Sequence, residues 1–244
     1  MIHCFWEVFK IENFITNKEI CRIYRNGKKE TTPDPCIMET KYSFFVNGER
    51  LYTTSITPTD IELLITGQLY LRGKISKASD ILSIEQSGTS LSLTIKNNAN
   101  SKAPNKRNEY KKANIDTITD GLKWIEKAPI FVKTGCTHIA ALITQNGEKL
   151  YRGEDISRHN AVDKAIGWLI KNEQPTENVI LITSGRLPLD MTEKANYTGI
   201  PIIVSVSATT AQSIDLAEKN KITLVCFARE GRMNVCTGEK ITTN

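Results

Sequence analysis

Residues 152–167 read Arg-Gly-Glu-Asp-Ile-Ser-Arg-His-Asn-Ala-Val-Asp-Lys-Ala-Ile-Gly and include one of the three histidines in the chain. Their charges stand at the front of a segment whose apolar spacing predicts a buried helix. Charge drawn toward a core costs free energy, so such a cluster marks a candidate site. His159 can orient a ligand or donate a proton, and Asp163 follows one helical turn later on the same face. Arg158 and Lys164 add positive charge near the helix start. The plainer alternative is a helix N-terminus with ordinary salt bridges.

Four other stretches carry chemistry-bearing residues. Thr183-Ser184-Gly185-Arg186 follows an apolar run and precedes a helical pattern. Gly185 permits close backbone approach, the helix start offers free N–H groups, and Ser184 and Arg186 can hold a phosphate or carboxylate. A plain turn with an exposed arginine is the alternative. Ser205-Val206-Ser207-Ala208-Thr209-Thr210 places four hydroxyls at another helix start, where they either cap it or line a polar pocket. Phe227-Ala228-Arg229-Glu230-Gly231-Arg232 closes the last apolar run. Two arginines around a glycine suit a diphosphate or a guanine-bearing ligand, or form a simple hairpin with surface charge. In Thr134-Gly135-Cys136-Thr137-His138 a thiol lies near a histidine, either activated or structural. No His-x-Glu and no Pro-Cys-x-x-Cys is present, which argues against zinc deaminase chemistry.

The elements that must position these residues come in two styles. Before residue 96 the pattern is mostly strand: 20–25, 37–46, 51–56, 81–85 and 91–95, with hairpin signals at Asn26-Gly27 and Asn47-Gly48. One helix over about residues 59–73 is predicted, with Thr59 and Glu62 spaced as a capping box. From residue 115 onward helices and strands alternate. Helices are predicted over 115–127, 157–171, 187–197 and 209–219, and strands over 137–144, 179–183, 200–206 and 222–228. Strands spaced by single helices imply an α/β fold with a mixed, largely parallel sheet beside a small β-rich N-terminal region. Ligands bind beyond the carboxyl ends of such strands, which selects residues 183–186, 205–210 and 228–232.

With 40% hydrophobic and 24% charged residues, the 244-residue chain has the balance of a globular protein. No run of eighteen apolar residues and no secretory signal is evident, so a cytoplasmic protein with no membrane segment is expected. The six cysteines are never closer than ten positions, which excludes a Cys-x-x-Cys pair and a disulfide scaffold. The net charge of +5 equals that of residues 96–112, which hold six basic residues and one acid. That stretch reads as a solvated loop or a flap over an anionic ligand. It lacks the aromatic interleaving of a nucleic-acid binder. The expected divisions are 1–95, the basic loop 96–114, and the α/β domain 115–244.

Taken together these segments resemble the formate dehydrogenase accessory sulfurtransferase family, FdhD. The resemblance rests on Val46-Asn47-Gly48-Glu49-Arg50, residues 134–142, the run Glu154-Asp155-Ile156-Ser157-Arg158-His159-Asn160-Ala161-Val162-Asp163-Lys164, residues 183–186, 199–208 and 227–232. It implies a cytidine-deaminase-like core, a homodimer and a place in molybdenum cofactor biosynthesis. It implies transfer of sulfur from a cysteine desulfurase to the bis(molybdopterin guanine dinucleotide) cofactor of molybdenum, or tungsten, required by formate dehydrogenase. GDP would mimic part of that ligand. The segment matching the family's nucleotide site is Phe227, Ala228, Arg229, Glu230, Gly231 and Arg232; Arg158, His159, Ser184, Gly185 and Arg186 would complete it. The family carries sulfur on a Cys-x-x-Cys in the loop that corresponds to residues 96–112, which have no cysteine here. Cys136 adjoins a matching motif and is the candidate substitute. A cofactor-binding or chaperone protein without sulfur transfer is the alternative.

Overall fold

A computed structural model describes residues 12–96 and 112–243. Most of the basic stretch of 96–112 therefore lies outside the described residues. An antiparallel ribbon comes first, formed by β1 (Ile15–Ile23) and β2 (Lys29–Ile37). The sequence pattern hides β2 because Pro33 and Pro35 interrupt it. A two-stranded ribbon tolerates them, since proline lacks only a donor that can face outward. The strand expected over 37–46 accordingly begins later.

A four-stranded sheet follows, ordered β4-β3-β6-β5, from β3 (Thr40–Val46), β4 (Glu49–Ile56), β5 (Ile81–Ser87) and β6 (Ser90–Ile95). The β3–β4 turn holds Asn47 at φ 49° and Gly48 at φ 84°, the left-handed pair that an Asn-Gly hairpin supplies. Helix α1 (Ile61–Leu71) joins β4 to β5. The expected capping box is not formed. Asp60 is the N-cap residue, in a left-handed conformation and without a side-chain cap. The Thr59 hydroxyl instead accepts from Lys164 Nζ at 3.3 Å, and Glu62 pairs with Lys171.

The second sheet has six strands. After β7 (Ala113–Asn114), α2 (Ile115–Ile125) and α3 (Pro129–Thr134) come β8 (His138–Thr144), β9 (Lys149–Asp155), α4 (Arg158–Lys171), β10 (Val179–Thr183), α5 (Leu189–Thr198), β11 (Ile202–Ser205), α6 (Ala211–Lys219), β12 (Thr223–Arg229), β13 (Arg232–Thr237) and β14 (Ile241–Thr242). The order is β13-β12-β11-β10-β8-β9, while β14 pairs with β7. This sheet is mixed and not largely parallel: only β10–β11 and β11–β12 are parallel among its five pairs. Two hairpins account for the difference. β9 and β13 turn straight back on β8 and β12, and the returning β9 leaves β8 running against its neighbours.

The central strands read Val-Ile-Leu-Ile-Thr and Ile-Ile-Val-Ser because both sheet faces are covered. Alternate side chains enter two cores. Ile139, Ala141, Ile143, Ile180 and Ile182 meet Ile118, Leu122 and Ile125 of α2. Ala140, Leu142 and Leu181 join a larger core with α4, α5, α1 and inner residues of the four-stranded sheet, including Phe44 and Leu93. Helices α1 and α4 touch backbone to backbone. A Cβ at Gly67 would fall on the Asp163 carbonyl, and one at Gly167 on the Leu63 carbonyl.

Gly167→Ala must therefore push α1 away from α4. The expected loss is about 1–3 kcal/mol, the range for overpacking. It is read as a lower urea midpoint at unchanged slope; an unchanged midpoint would show that the helices accommodate the methyl group.

Candidate functional site

Parallel β10, β11 and β12 present their carboxyl ends to one edge of the six-stranded sheet. Antiparallel β8 brings its first residue, His138, to the same edge, where it pairs with Asp155 at the end of β9. The edge therefore gathers residues 134–138, Arg158 at the start of α4, residues 183–186, 205–210 and 227–232. Most of the residues selected from the sequence are thus brought together by the strand order.

Hydrogen bonds tie these segments to each other. Ile139 N donates to Ser184 Oγ at 2.9 Å, and Ser184 Oγ lies 3.5 Å from His138 Nδ1. Ser205 Oγ donates to the Gly185 carbonyl at 2.6 Å and accepts from Ser207 N at 2.8 Å. Thr209 Oγ1 donates to the Leu187 carbonyl, and Thr210 Oγ1 caps α6 by accepting from Ser213 N. So Ser205, Thr209 and Thr210 spend their hydroxyls on the backbone, which is the structural alternative for that cluster. Phe227 N donates to the Ser207 carbonyl, and the Arg229 guanidinium donates to the carbonyls of Val206 and Ala228.

The electrostatics of the edge are cationic. Gly185 packs so closely on the stem of Arg158 that a Cβ there would stand 2.8 Å from the Arg158 Cβ. The buried Arg158 Nε has no hydrogen-bond partner among the described residues. Arg186, Arg229 and Arg232 are exposed. Burial lowers the pKa of His138, and the Arg158 and Arg186 guanidinium groups lower it further. An anion at this edge would relieve both arginines and imidazole. His159 points to α5, with Nδ1 3.4 Å from Asp190, and its pKa is lowered first by burial and then by Lys194.

At the far end of the edge β12 bulges. Cys226 pairs with Asn234 and Arg229 with Arg232, so Phe227 and Ala228 together oppose Met233. Ala228 is buried, while Phe227 is 44% exposed at φ 48°, a conformation costly for a non-glycine residue. Glu230 turns to Lys123 of α2 at 2.8 Å. Cys136 is exposed in the connection before β8, and its N–H donates to Thr134 Oγ1.

Two residues of the charged run serve packing and not the site. Lys164 adds no positive charge to an open helix start: it is fully buried, 2.7 Å from Asp155. It also donates to the carbonyls of Thr57 and Glu154. Asp163 is equally buried and held by Lys194 at 2.6 Å and by Gln68. The two residues are adjacent and both buried because α4 is covered on nearly all sides from Asn160 to Gly167. Three anchors went unrecognised in the sequence. Asp155 accepts from Thr57 N, Ser157 N and Asn160 Nδ2. Glu154 accepts from Ile130 N and Phe131 N at the start of α3 and from Thr137 Oγ1, fixing the approach to His138. Arg152 donates to the Trp124 carbonyl and lies over its ring, holding α2.

The FdhD/NarQ family model matches residues 37–118 and 104–242. Protein FdhD of Methanocaldococcus jannaschii is 34% identical over 208 residues, 85% of this chain and 90% of that protein. Sulfur carrier protein FdhD of Streptomyces coelicolor is 30% identical, covering 91% of this chain and 93% of its own length. A solved structure from Desulfotalea psychrophila, described as a formate dehydrogenase accessory protein, superimposes with a TM-score of 0.82 at 27% identity, over 94% of this chain and all of that one. No helix among the described residues is long and apolar enough to cross a membrane.

Lys164→Met leaves the Asp155 carboxylate buried without its counter-charge. A loss of about 3–5 kcal/mol is expected from chemical denaturation; a loss under about 1 kcal/mol would mean that the pair is dispensable. His138 should titrate below 6.5 by NMR. Between that folded-state value and 6.5 the unfolded chain binds the extra proton, so stability from this group is complete above 6.5 and falls as pH drops. A phosphate-bearing ligand beside Arg158 should raise the His138 pKa; no movement at saturating ligand places the anion elsewhere.

Proposed function

Since this chain belongs to the FdhD/NarQ family, we propose that it serves formate dehydrogenase as a sulfur carrier and holds the molybdenum guanine-dinucleotide cofactor at the cationic sheet edge. The observation that carries this reading is the convergence of Arg158, the turn at residues 183–186 and the hairpin at 227–232 along that edge. Each part has a matching ligand chemistry. The unpartnered Arg158 Nε and exposed Arg186 suit phosphate oxygens, for which guanidinium offers directed donors. The exposed Phe227 ring suits a guanine face, and stacking of this kind contributes about 1–3 kcal/mol per base. Arg229 and Arg232 pair across the two strands directly after the bulge that carries Phe227, and their exposed guanidinium groups suit a diphosphate.

The cofactor is cargo in this reading. The chain supplies binding and orientation, and a cysteine desulfurase supplies persulfide sulfur to a homodimer in the cytoplasm. Molybdenum and tungsten forms present the same guanine dinucleotide to the edge. The deaminase-like ancestry of the core belongs to the same reading. A second reading follows from the absence of any Cys-x-x-Cys in the sequence: the chain binds and protects the cofactor without moving sulfur. Cys136, exposed beside the cluster, is the candidate substitute carrier that the motifs offer.

Calorimetry with GDP tests the binding reading. The wild-type chain should bind it, and Phe227→Ala and Arg229→Ala should each weaken binding at least ~10-fold, about 1.4 kcal/mol. Arg229 also holds the Val206 carbonyl, so the melting temperature of that variant must be measured alongside. No binding by the wild type, or equal binding by both variants, overturns the assignment of this edge.

A further inference from the structure

The hairpin that carries residues 227–232 also holds two thiols against each other. Cys226 on β12 directly precedes Phe227, Cys236 lies on β13, and their Sγ atoms are 3.2 Å apart. Bond formation requires an approach of about 1.2 Å, to roughly 2.0 Å. The two thiols are not equivalent. Cys226 is 1% exposed and accompanied by Thr209 of the loop before α6; burial first, and then the neighbouring Cys236 sulfur, pushes its pKa up to about 12. It keeps its proton at neutral pH. Cys236 is half-buried and reaches solvent. A reagent arriving from outside therefore meets Cys236 first, with a second thiol already in contact behind it.

We propose that Cys236 accepts sulfane sulfur from a persulfide donor, and that Cys226 resolves the persulfide and frees the sulfur on the hairpin that carries Phe227. The inference rests on the sulfur-carrier reading and supplies it with a pair of thiols outside any Cys-x-x-Cys. In the first step the Cys236 thiolate attacks the terminal sulfur of the donor R–S–SH. The donor S–S bond breaks, R–S⁻ leaves with the electron pair, and a persulfide forms on Cys236. In the second step the outer sulfur of the persulfide takes the Cys226 proton as the Cys226 sulfur attacks Sγ of Cys236. The bond between Sγ and the carried sulfur breaks, and that sulfur leaves as sulfide with the Cys226 proton. The carried sulfur gains two electrons, and the two cysteines lose one each as they join in a disulfide. A small-molecule dithiol then reduces the disulfide and resets the pair.

The test uses the full chain, cysteine persulfide as donor, and peptide mass spectrometry after alkylation, with released sulfide measured in parallel. Wild-type protein should release sulfide and gain the Cys226–Cys236 disulfide. Cys226→Ser and Cys226→Ala should retain one added sulfur on Cys236 and release sulfide at least ~10-fold more slowly, because the resolving thiol is gone. Cys236→Ser should do neither, and Cys136→Ser should behave as wild type. Two variants at Cys226 guard against a packing defect at that buried position. Persulfide on Cys136 in the Cys226 variants, with Cys236 unlabelled, overturns this proposal and leaves the sulfur-carrier reading standing. No persulfide on any cysteine, with GDP still bound, overturns it together with sulfur transfer and leaves the binding reading alone.

Discussion

The buried contact between Lys164 and Asp155 is the constraint from which the arrangement of the edge follows. Neither side chain has any exposure, and their charged atoms are 2.7 Å apart. Removing an ammonium group from water costs several kcal/mol even after relaxation, so such a lysine is stable only when its donors are met in full. Here they are met by Asp155, by the carbonyls of Thr57 and Glu154 and by the Thr59 hydroxyl. Those partners come from two places, the connection after β4 and the end of β9, and the lysine itself stands on α4, a third. The pair can exist only when all three are assembled. The other Asp155 oxygen takes the N–H of Ser157 and the amide of Asn160, which sets the first turn of α4. Arg158, the first residue of that turn, lays its stem along Gly185.

The rest of the edge is stiffened in a similar way, by buried hydroxyls that bond to the main chain of the next strand. Thr183 Oγ1 donates to the Ile139 carbonyl and accepts from Gly185 N, and Ser205 Oγ bridges Gly185 and Ser207. These bonds cross from β8 to β10 to β11, and Phe227 N extends them to β12 through Ser207. Loops held like this lose little entropy when a ligand arrives, so more of the contact energy appears as affinity. The positive φ of Phe227 fits the pattern. Its ring is exposed because Ala228, next in the bulge, is anchored in the core beneath α2.

Much of this was legible in the sequence, for definable reasons. Helices α2, α4, α5 and α6 and strands β8, β10, β11 and β12 announce themselves by apolar period. The rule that ligands gather at strand carboxyl ends selected three of the turns that meet at the edge. What escaped depends on partners distant in the chain. Strand β9 runs Lys-Leu-Tyr-Arg-Gly-Glu-Asp, and its final carboxylates look like surface charge until α3 and Lys164 are in place around them. Lys164 looks like a helix-start cation because nothing local reveals that Thr57 stands over it. The reversal of β8 was hidden for the same reason, since pairing partners of a hairpin and a crossover are chosen by the whole sheet.

The cysteine pair is the sharpest case of a feature that spacing cannot show. Ten positions apart, Cys226 and Cys236 match no short motif, yet a hairpin brings residues at such separations into contact as a matter of course. A Cys-x-x-Cys is one way to hold two sulfurs within reach; adjacent antiparallel strands are another. The difference lies in what else moves. A helix turn or loop carries its thiols alone, whereas β12 and β13 carry theirs together with Phe227, Arg229 and Arg232. A disulfide between these strands would also constrain the hairpin that presents the ring and both arginines. In the proposed function this places sulfur release and cargo binding on one rigid unit, so neither can be altered by a shift in β12 without the other.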